Sequence, residues 1–200
     1  MGCDIHIFTE LKTNGVWNNC DHWKYNQFYG QDEGEPELEQ IPIYSRRNYD
    51  LFSFLADVRN YARNPVFGFD RGFPDNASPQ TKAEYDRWNL DAHTPGYCTL
   101  AELKQQVGLV KAIKHSGYVH KTAACNYINT GEKPDEWCQG VGGPMAKDYV
   151  WMEWEDKPTC FGELLASLQA RKNEVFWLFS DKAKGTEHDE DIRIVFWFDN

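Results

Sequence analysis

The sequence lacks the features that mark several large classes of protein. No stretch comes near the roughly 20 consecutive apolar residues that a membrane-spanning helix needs, although 41% of the 200 residues are hydrophobic. The six cysteines include no C-x-x-C pair, and no secretory signal peptide precedes them. We therefore predict a soluble protein that has no membrane partner and keeps free thiols in a reducing cytoplasm.

Two common catalytic motifs are missing as well. The serine-hydrolase elbow G-x-S-x-G does not occur. The glycines at 140–143 lack the preceding strand and the following Lys-Ser/Thr of a phosphate-binding loop. The sequence therefore gives no support to a serine hydrolase or a P-loop nucleotide hydrolase.

The negative charge is concentrated in two short runs. The net charge is -10, from 31 acidic and 21 basic residues. Residues 32–39 hold five acidic side chains and residues 187–191 hold four, so 22 acidic residues remain against the 21 basic ones. The body is thus nearly neutral, which favours solvated acidic loops over mimicry of a nucleic acid. A duplex is not an expected partner, because the net negative charge repels an extended polyanion.

Apolar patterns at both ends of the chain predict strands. Residues 3–12 alternate, Asn14-Gly15 is a strong hairpin signal, and Val16 begins a returning strand. Further strands are expected at 149–154, 174–179 and 192–198. The last of these is apolar on both faces and therefore central in its sheet.

Helices are expected between these strands. One begins at Asn48, buries Leu51, Leu55, Val58 and Ala62, and ends before Pro65. Others cover 78–89, 99–108 and 160–172, whereas 91–96 is expected to be a polar loop and 109–147 has no clear pattern. We predict a single domain, 1–200, of the α+β class, with helices packed on a mainly antiparallel sheet of N- and C-terminal strands.

Two Asp-x-His pairs are the candidate catalytic residues. In a strand, Asp4 and His6 project from the same face about 7 Å apart, and Asp91 and His93 form a second pair on the expected loop. Carboxylate and imidazole bind divalent metal ions and activate water. The four residues are predicted as metal ligands and catalytic groups. The structural alternative is that Asp4 orients His6 and that the second pair is an ordinary part of its loop.

A cluster of arginines is the candidate phosphate site. Five of the eight arginines lie between positions 46 and 71, beside aromatic residues and a predicted helix N-terminus. Arginine binds phosphate bidentately and stacks on bases, and helix N-termini attract anions. The cluster suits a nucleotide or a cyclic dinucleotide as ligand. The structural alternative is that the arginines form ion pairs with nearby acidic residues at the surface. The predicted substrate-binding residues are Arg46, Arg47, Asn48, Tyr49 and Arg59.

Several segments taken together resemble a family of small proteins of bacteriophage and prophage genomes. They are MGCDIH at 1–6, RNYDLF at 47–52, LADVRN at 55–60, DAH at 91–93 and RIVFWFDN at 193–200. The similarity spans both ends of the chain, although it brings no assigned catalytic residues. It implies an accessory protein of a phage that acts in the bacterial host cytoplasm. The acidic loop at 32–39 and the segment 109–147 look like additions in this member.

These observations support three hypotheses of function. The first is a metal-assisted hydrolase of phosphodiester bonds in a small nucleotide or cyclic nucleotide signal, with an anti-defence role and a divalent metal as its cofactor. The second is a nucleotide-binding protein that sequesters its ligand without catalysis. The third is a protein–protein inhibitor of a host enzyme. A homo-oligomer is compatible with each of them.

Overall fold

The computed structural model describes residues 2–31, 36–61, 63–138, 140–157, 159–179 and 188–199; for Asn89 and 177–179 only the backbone is described. The strands are β1 (Asp4–Thr13), β2 (Val16–Asn19), β3 (His22–Tyr25), β4 (Leu38–Ile41), β5 (His93–Thr99), β6 (Ile113–His120), β7 (Tyr149–Asp156) and β8 (Ile192–Asp199). The helices are α1 (Tyr49–Ala56), α2 (Pro79–Trp88), α3 (Leu100–Leu109), α4 (Lys121–Thr130) and α5 (Gly162–Phe179).

A four-stranded antiparallel sheet in the order β2-β1-β8-β5 forms the centre of the fold. Strand β8 lies between β1 and β5, and its first seven residues are buried. One core joins side chains of this sheet to α1, α3 and α5. The predicted α+β class, with a sheet built from both ends of the chain, is therefore confirmed, as is the central position of the last strand.

The hairpin of β1 and β2 has the turn that its Asn14-Gly15 sequence favours. Asn14 and Gly15 have φ angles of 53° and 80°, and a two-residue turn with positive φ at both positions matches the twist of the strands that it joins. Register then pairs Thr13 with Val16 and Lys12 with Trp17. The hairpin predicted from Asn-Gly is confirmed.

Helix α1 begins as predicted but ends early. The Asn48 side chain accepts a hydrogen bond from Leu51 N at 3.1 Å, whereas Asp57 already adopts a left-handed conformation. The Asn60 side chain bonds both the N–H and the C=O of Asn64, at 2.7 and 2.9 Å. Such side-chain bonds to the backbone compete with a helix. The predicted continuation to Pro65 is therefore wrong, and Ala62 lies outside the described residues.

The strand predicted at 174–179 is also wrong, because α5 continues through it. Leu164, Leu168, Arg171 and Val175 are all buried, and their spacing of three or four residues is that of one helix face. A short apolar run does not distinguish a strand from a buried helix. Here the longer helical period of the preceding residues determines the outcome.

The loop predicted at 91–96 is replaced by β5 from His93 onward, an edge strand of the central sheet. Tyr97 N donates to the backbone oxygen of Phe69 at 3.0 Å. A Cβ on the neighbouring Gly96 would clash with the same oxygen. Glycine is required where two backbones approach this closely.

The segment 109–147 contributes β6 and α4, and β6 pairs with β7 in a smaller two-stranded sheet. Strands β6 and β7 pair along eight residues each, and α4 packs against one face through Val119, Ala124 and Trp154. Strands β3 and β4 form another pair that the sequence did not predict. The β7 strand predicted at 149–154 is confirmed.

The N-terminus of α3 is the predicted capping box. The Thr99 hydroxyl accepts from Glu102 N, and the Glu102 carboxylate accepts from Thr99 N at 2.9 Å. Arg71 donates to the same carboxylate at 2.8 Å. Partial burial raises the pKa of Glu102, but these hydrogen bonds outweigh burial and hold it below its usual value.

All six cysteines are free thiols. Burial raises the pKa of Cys20 and of Cys160 to about 12 in each case, so neither is a ready nucleophile. Among the described residues, no helix is long and apolar enough to cross a membrane.

Candidate functional site

The two Asp-x-His pairs do not meet in the fold. His6 is paired across the sheet with Trp197 of β8, whereas His93 is paired with Phe198 of the same strand. Directly opposed residues share a face and consecutive residues of a strand do not. His6 and His93 therefore project from opposite faces of the sheet, with β8 between them, and the predicted four-ligand site is not formed.

Asp4 and His6 each have another partner. Arg47 donates from Nε and Nη2 to the two oxygens of Asp4 at 2.5 and 2.6 Å, and these hydrogen bonds lower the pKa of Asp4. His6 Nε2 lies 3.2 Å from a carboxylate oxygen of Asp199, and its ring packs on Trp88 with centroids 4.1 Å apart. The partner of His6 is thus Asp199, rather than Asp4 as the structural alternative proposed.

The second pair has no common centre. Asp91 is exposed at the end of a short 3-10 turn. His93 Nδ1 lies 2.9 Å from the Thr94 hydroxyl, and its buried Nε2 has no hydrogen-bond partner within the described part of the chain. In that same part of the chain, no three or more His, Cys, Asp or Glu residues are grouped as metal ligands.

The predicted phosphate-binding residues, in contrast, surround one cleft of about 540 Å³. We call it the arginine cleft. It lies where the N-terminus of α1 and the chain that follows α1 face strand β6 and Trp137. Its lining includes Arg46, Arg47, Asn48, Tyr49, Asp50, Arg59, Tyr61, His115, Ser116, Trp137 and Glu163.

The cleft arginines have carboxylate or hydroxyl partners at its rim. Arg46 pairs with Glu163 at 3.0 Å while its side chain stays 74% exposed. Arg47 pairs with Asp4 and is 56% exposed. Arg59 lies 3.4 Å from the Tyr61 hydroxyl. The exposed guanidinium groups of Arg46 and Arg47 remain accessible to an anion, which competes with their carboxylate partners for them.

Local backbone features place these side chains. The guanidinium of Arg47 lies over Gly2, where a Cβ would come within 2.5 Å of one of its nitrogens. Asp57, Arg59 and Arg63 all have φ angles between 52° and 60°. Left-handed non-glycine residues are strained and cluster at functional sites. The strained segment after α1 directs Arg59 and Tyr61 into the arginine cleft.

Two aromatic residues that line the arginine cleft, His115 and Trp137, were not predicted from the sequence. His115 comes from β6 and packs between Trp137 and Trp154, with centroids 5.3 and 5.4 Å away. Ile113, Gly117 and Val119 are buried on one face of this strand, and the positions of the other face are exposed or half-buried. That alternation was the available signal for β6, although it does not indicate which cleft the strand borders.

His6 lies in a different cleft, of about 400 Å³, which we call the His6 cleft. It also contains Asp199, Trp88 and Glu84, and burial raises the pKa of Glu84. Arg87, its one arginine among the described residues, pairs with Glu84 at 3.3 Å. His6 and the predicted phosphate-binding residues are therefore in separate clefts.

Comparisons of the chain with protein-family models, with curated proteins and with solved structures found no match. Inference about function therefore depends on the geometry of these clefts.

Proposed function

We propose that the protein binds a small nucleotide in the arginine cleft and sequesters it without cleavage. The observation that carries this proposal is that Arg46, Arg47 and Arg59 line one cleft together with the N-terminus of α1 and several aromatic rings. Guanidinium groups and a helix N-terminus bind phosphate. Aromatic rings stack on bases with little regard to sequence.

Binding is favoured over hydrolysis by the position of the four predicted catalytic residues. Among these residues, Asp4 and His6 both line the His6 cleft, where Arg47 holds Asp4, and Asp91 and His93 line neither cleft. A general base must be within hydrogen-bond reach of its proton. The geometry thus supports the second hypothesis, a binding protein, better than a metal-assisted hydrolase.

The resemblance to phage proteins gives this proposal a biological setting. A phage accessory protein that removes a nucleotide signal from the host cytoplasm would counter a host defence without a catalytic step. Such a role requires tight binding of an intact ligand, which can be measured directly.

Isothermal titration calorimetry with pyrophosphate, ADP and GDP tests the proposal, with and without Mg²⁺. Arg46→Met, Arg47→Met and Arg59→Met should each weaken binding about tenfold or more, because a hydrogen bond to a charged group contributes about 1.5–3 kcal/mol. Arg87→Met is the matched control, since Arg87 lines the His6 cleft instead. Its affinity should stay within about twofold of the original.

Two results would contradict the proposal. One is a folded protein that binds neither pyrophosphate nor either nucleotide. The other is the appearance of nucleoside monophosphate or free phosphate when the recovered ligand is separated by chromatography, because that would show cleavage.

A further inference from the structure

A second cleft continues from the arginine cleft. It has a volume of about 700 Å³ and shares Tyr61, His115 and Ser116 with the arginine cleft. We call it the aromatic cleft, because Trp151 and Trp154 line it in addition to Tyr61. A ligand that is held by the arginines can therefore extend into the aromatic cleft without leaving the surface groove.

One face of the β6–β7 sheet supplies a wall of the aromatic cleft. Trp151, Glu153 and Glu155 occupy alternate positions of β7 and so project from the same face. Helix α4 packs on the other face. The Trp151 side chain is 49% exposed, and neither carboxylate has an ion-pair partner among the residues that the structure describes.

The charge balance of the two clefts differs. In the aromatic cleft, Arg63 and Lys114 are matched by Glu153 and Glu155, whereas in the arginine cleft the three arginines outnumber the two acidic residues, Asp50 and Glu163. A phosphate group is therefore favoured in the arginine cleft. The aromatic cleft offers stacking surfaces and hydrogen-bond acceptors instead.

We propose that the aromatic cleft is the base-binding subsite for the same nucleotide and that it selects bases with an exocyclic amino group. This inference rests on phosphate binding in the arginine cleft. Stacking on the ring of Trp151 holds the base, and the carboxylates of Glu153 and Glu155 accept hydrogen bonds from the amino group of guanine, adenine or cytosine. Uracil presents a carbonyl oxygen in place of the cytosine amino group, and that oxygen is repelled by a carboxylate.

Calorimetry with pyrophosphate, GDP, ADP, CDP and UDP tests this selection. We expect GDP, ADP and CDP to bind about five- to a hundredfold more tightly than UDP, because a matched contact to a base edge discriminates to that extent. UDP keeps the stacking contact of its base and should bind more tightly than pyrophosphate but less tightly than the other three nucleotides. The double variant Glu153→Gln/Glu155→Gln should reduce the difference, since an amide can donate to the uracil oxygen.

Variants of the stacking ring separate this subsite from the arginine cleft. Trp151→Ala should weaken GDP binding about five- to a hundredfold and leave pyrophosphate affinity unchanged, which also shows that the variant is folded. Tyr25→Ala removes another exposed ring, on β3, that lines neither cleft. It should leave the affinity for both ligands unchanged.

Each of the other possible calorimetry results would overturn a different part of the proposal. Equal affinities for pyrophosphate and all four nucleotides would overturn the base subsite and leave phosphate binding in place. Tightest binding of UDP would overturn the selection for amino groups. Failure of pyrophosphate and of every nucleotide to bind would overturn the proposed function itself and the subsite with it.

Discussion

The buried ion pair of Glu10 and Arg193 joins β1 to β8 at the middle of the sheet. The two side chains are only 0% and 3% exposed. Arg193 donates from Nε and Nη2 to one Glu10 oxygen at 2.8 and 2.7 Å, and Ser78 N donates to the other at 2.7 Å. The guanidinium also lies 4.1 Å from the ring centroid of Trp17. Arg193 also donates to the side-chain and backbone oxygens of Asn76. If one member of the ion pair is lost, the other charge stays buried without an opposite charge beside it.

Glu10→Gln should therefore lower the free energy of unfolding by about 3–5 kcal/mol, which is the usual cost of breaking a buried ion pair. Arg193→Met should cost more, because it also removes the contact with Trp17, worth about 0.5–2 kcal/mol. The double variant Glu10→Gln/Arg193→Met leaves no buried charge. Its cost should fall short of the sum of the single costs by at least about 2 kcal/mol.

Urea unfolding followed by far-ultraviolet circular dichroism measures all three variants against the original protein. Equal m-values would show that each variant exposes the same surface on unfolding. A cost of less than about 1 kcal/mol for Glu10→Gln, or single costs that simply add in the double variant, would contradict this expectation. Either result would mean that water or another group solvates the remaining charge.

Three further predictions concern binding and stability. Asp4→Asn releases Arg47 from its rim carboxylate and should tighten pyrophosphate binding about two- to fivefold in calorimetry; a loss of affinity would contradict the competition. Gly96→Ala drives a methyl group against the backbone oxygen of Phe69 and should lower the free energy of unfolding by about 3 kcal/mol or more in urea, whereas an unchanged midpoint would show that the backbone yields. The pKa of Glu102 lies below its usual value, so its contribution to stability is present above its unfolded pKa and is lost as the pH falls through the folded pKa. The stability difference between the original protein and Glu102→Gln should therefore shrink on acidification from pH 6, and a constant difference would argue against the ionised cap.

The sequence was most informative where local chemistry determines the structure. The Asn14-Gly15 turn, the Asn48 cap and the capping box at Thr99 each act within a few residues, and each appears as predicted. The end of α1 could not be predicted in the same way, because it depends on how Asn60 bonds the backbone of a residue four positions later.

The candidate site, too, was predictable only where its residues are close together in the sequence. The arginine cleft could be approached from the sequence, because its predicted residues all lie near the start of one helix or shortly after its end. His115 and Trp137 are far away along the chain and come from a segment without a clear pattern. The separation of His6 from His93 depends on which residues of β8 they face, and strand register is set by tertiary packing and turn geometry.

The central position of β8 determines when the protein can fold during synthesis. Asp4 and Asp199 are hydrogen-bonded neighbours although 195 positions separate them in the chain. At about 5–20 residues per second, β1 leaves the ribosome on the order of 10–40 seconds before its partner exists. During that interval β1 can pair with β2 but one of its two edges has no partner, and contacts of such long sequence separation also form slowly. We therefore expect the nascent chain to depend on chaperones far more than the finished protein does.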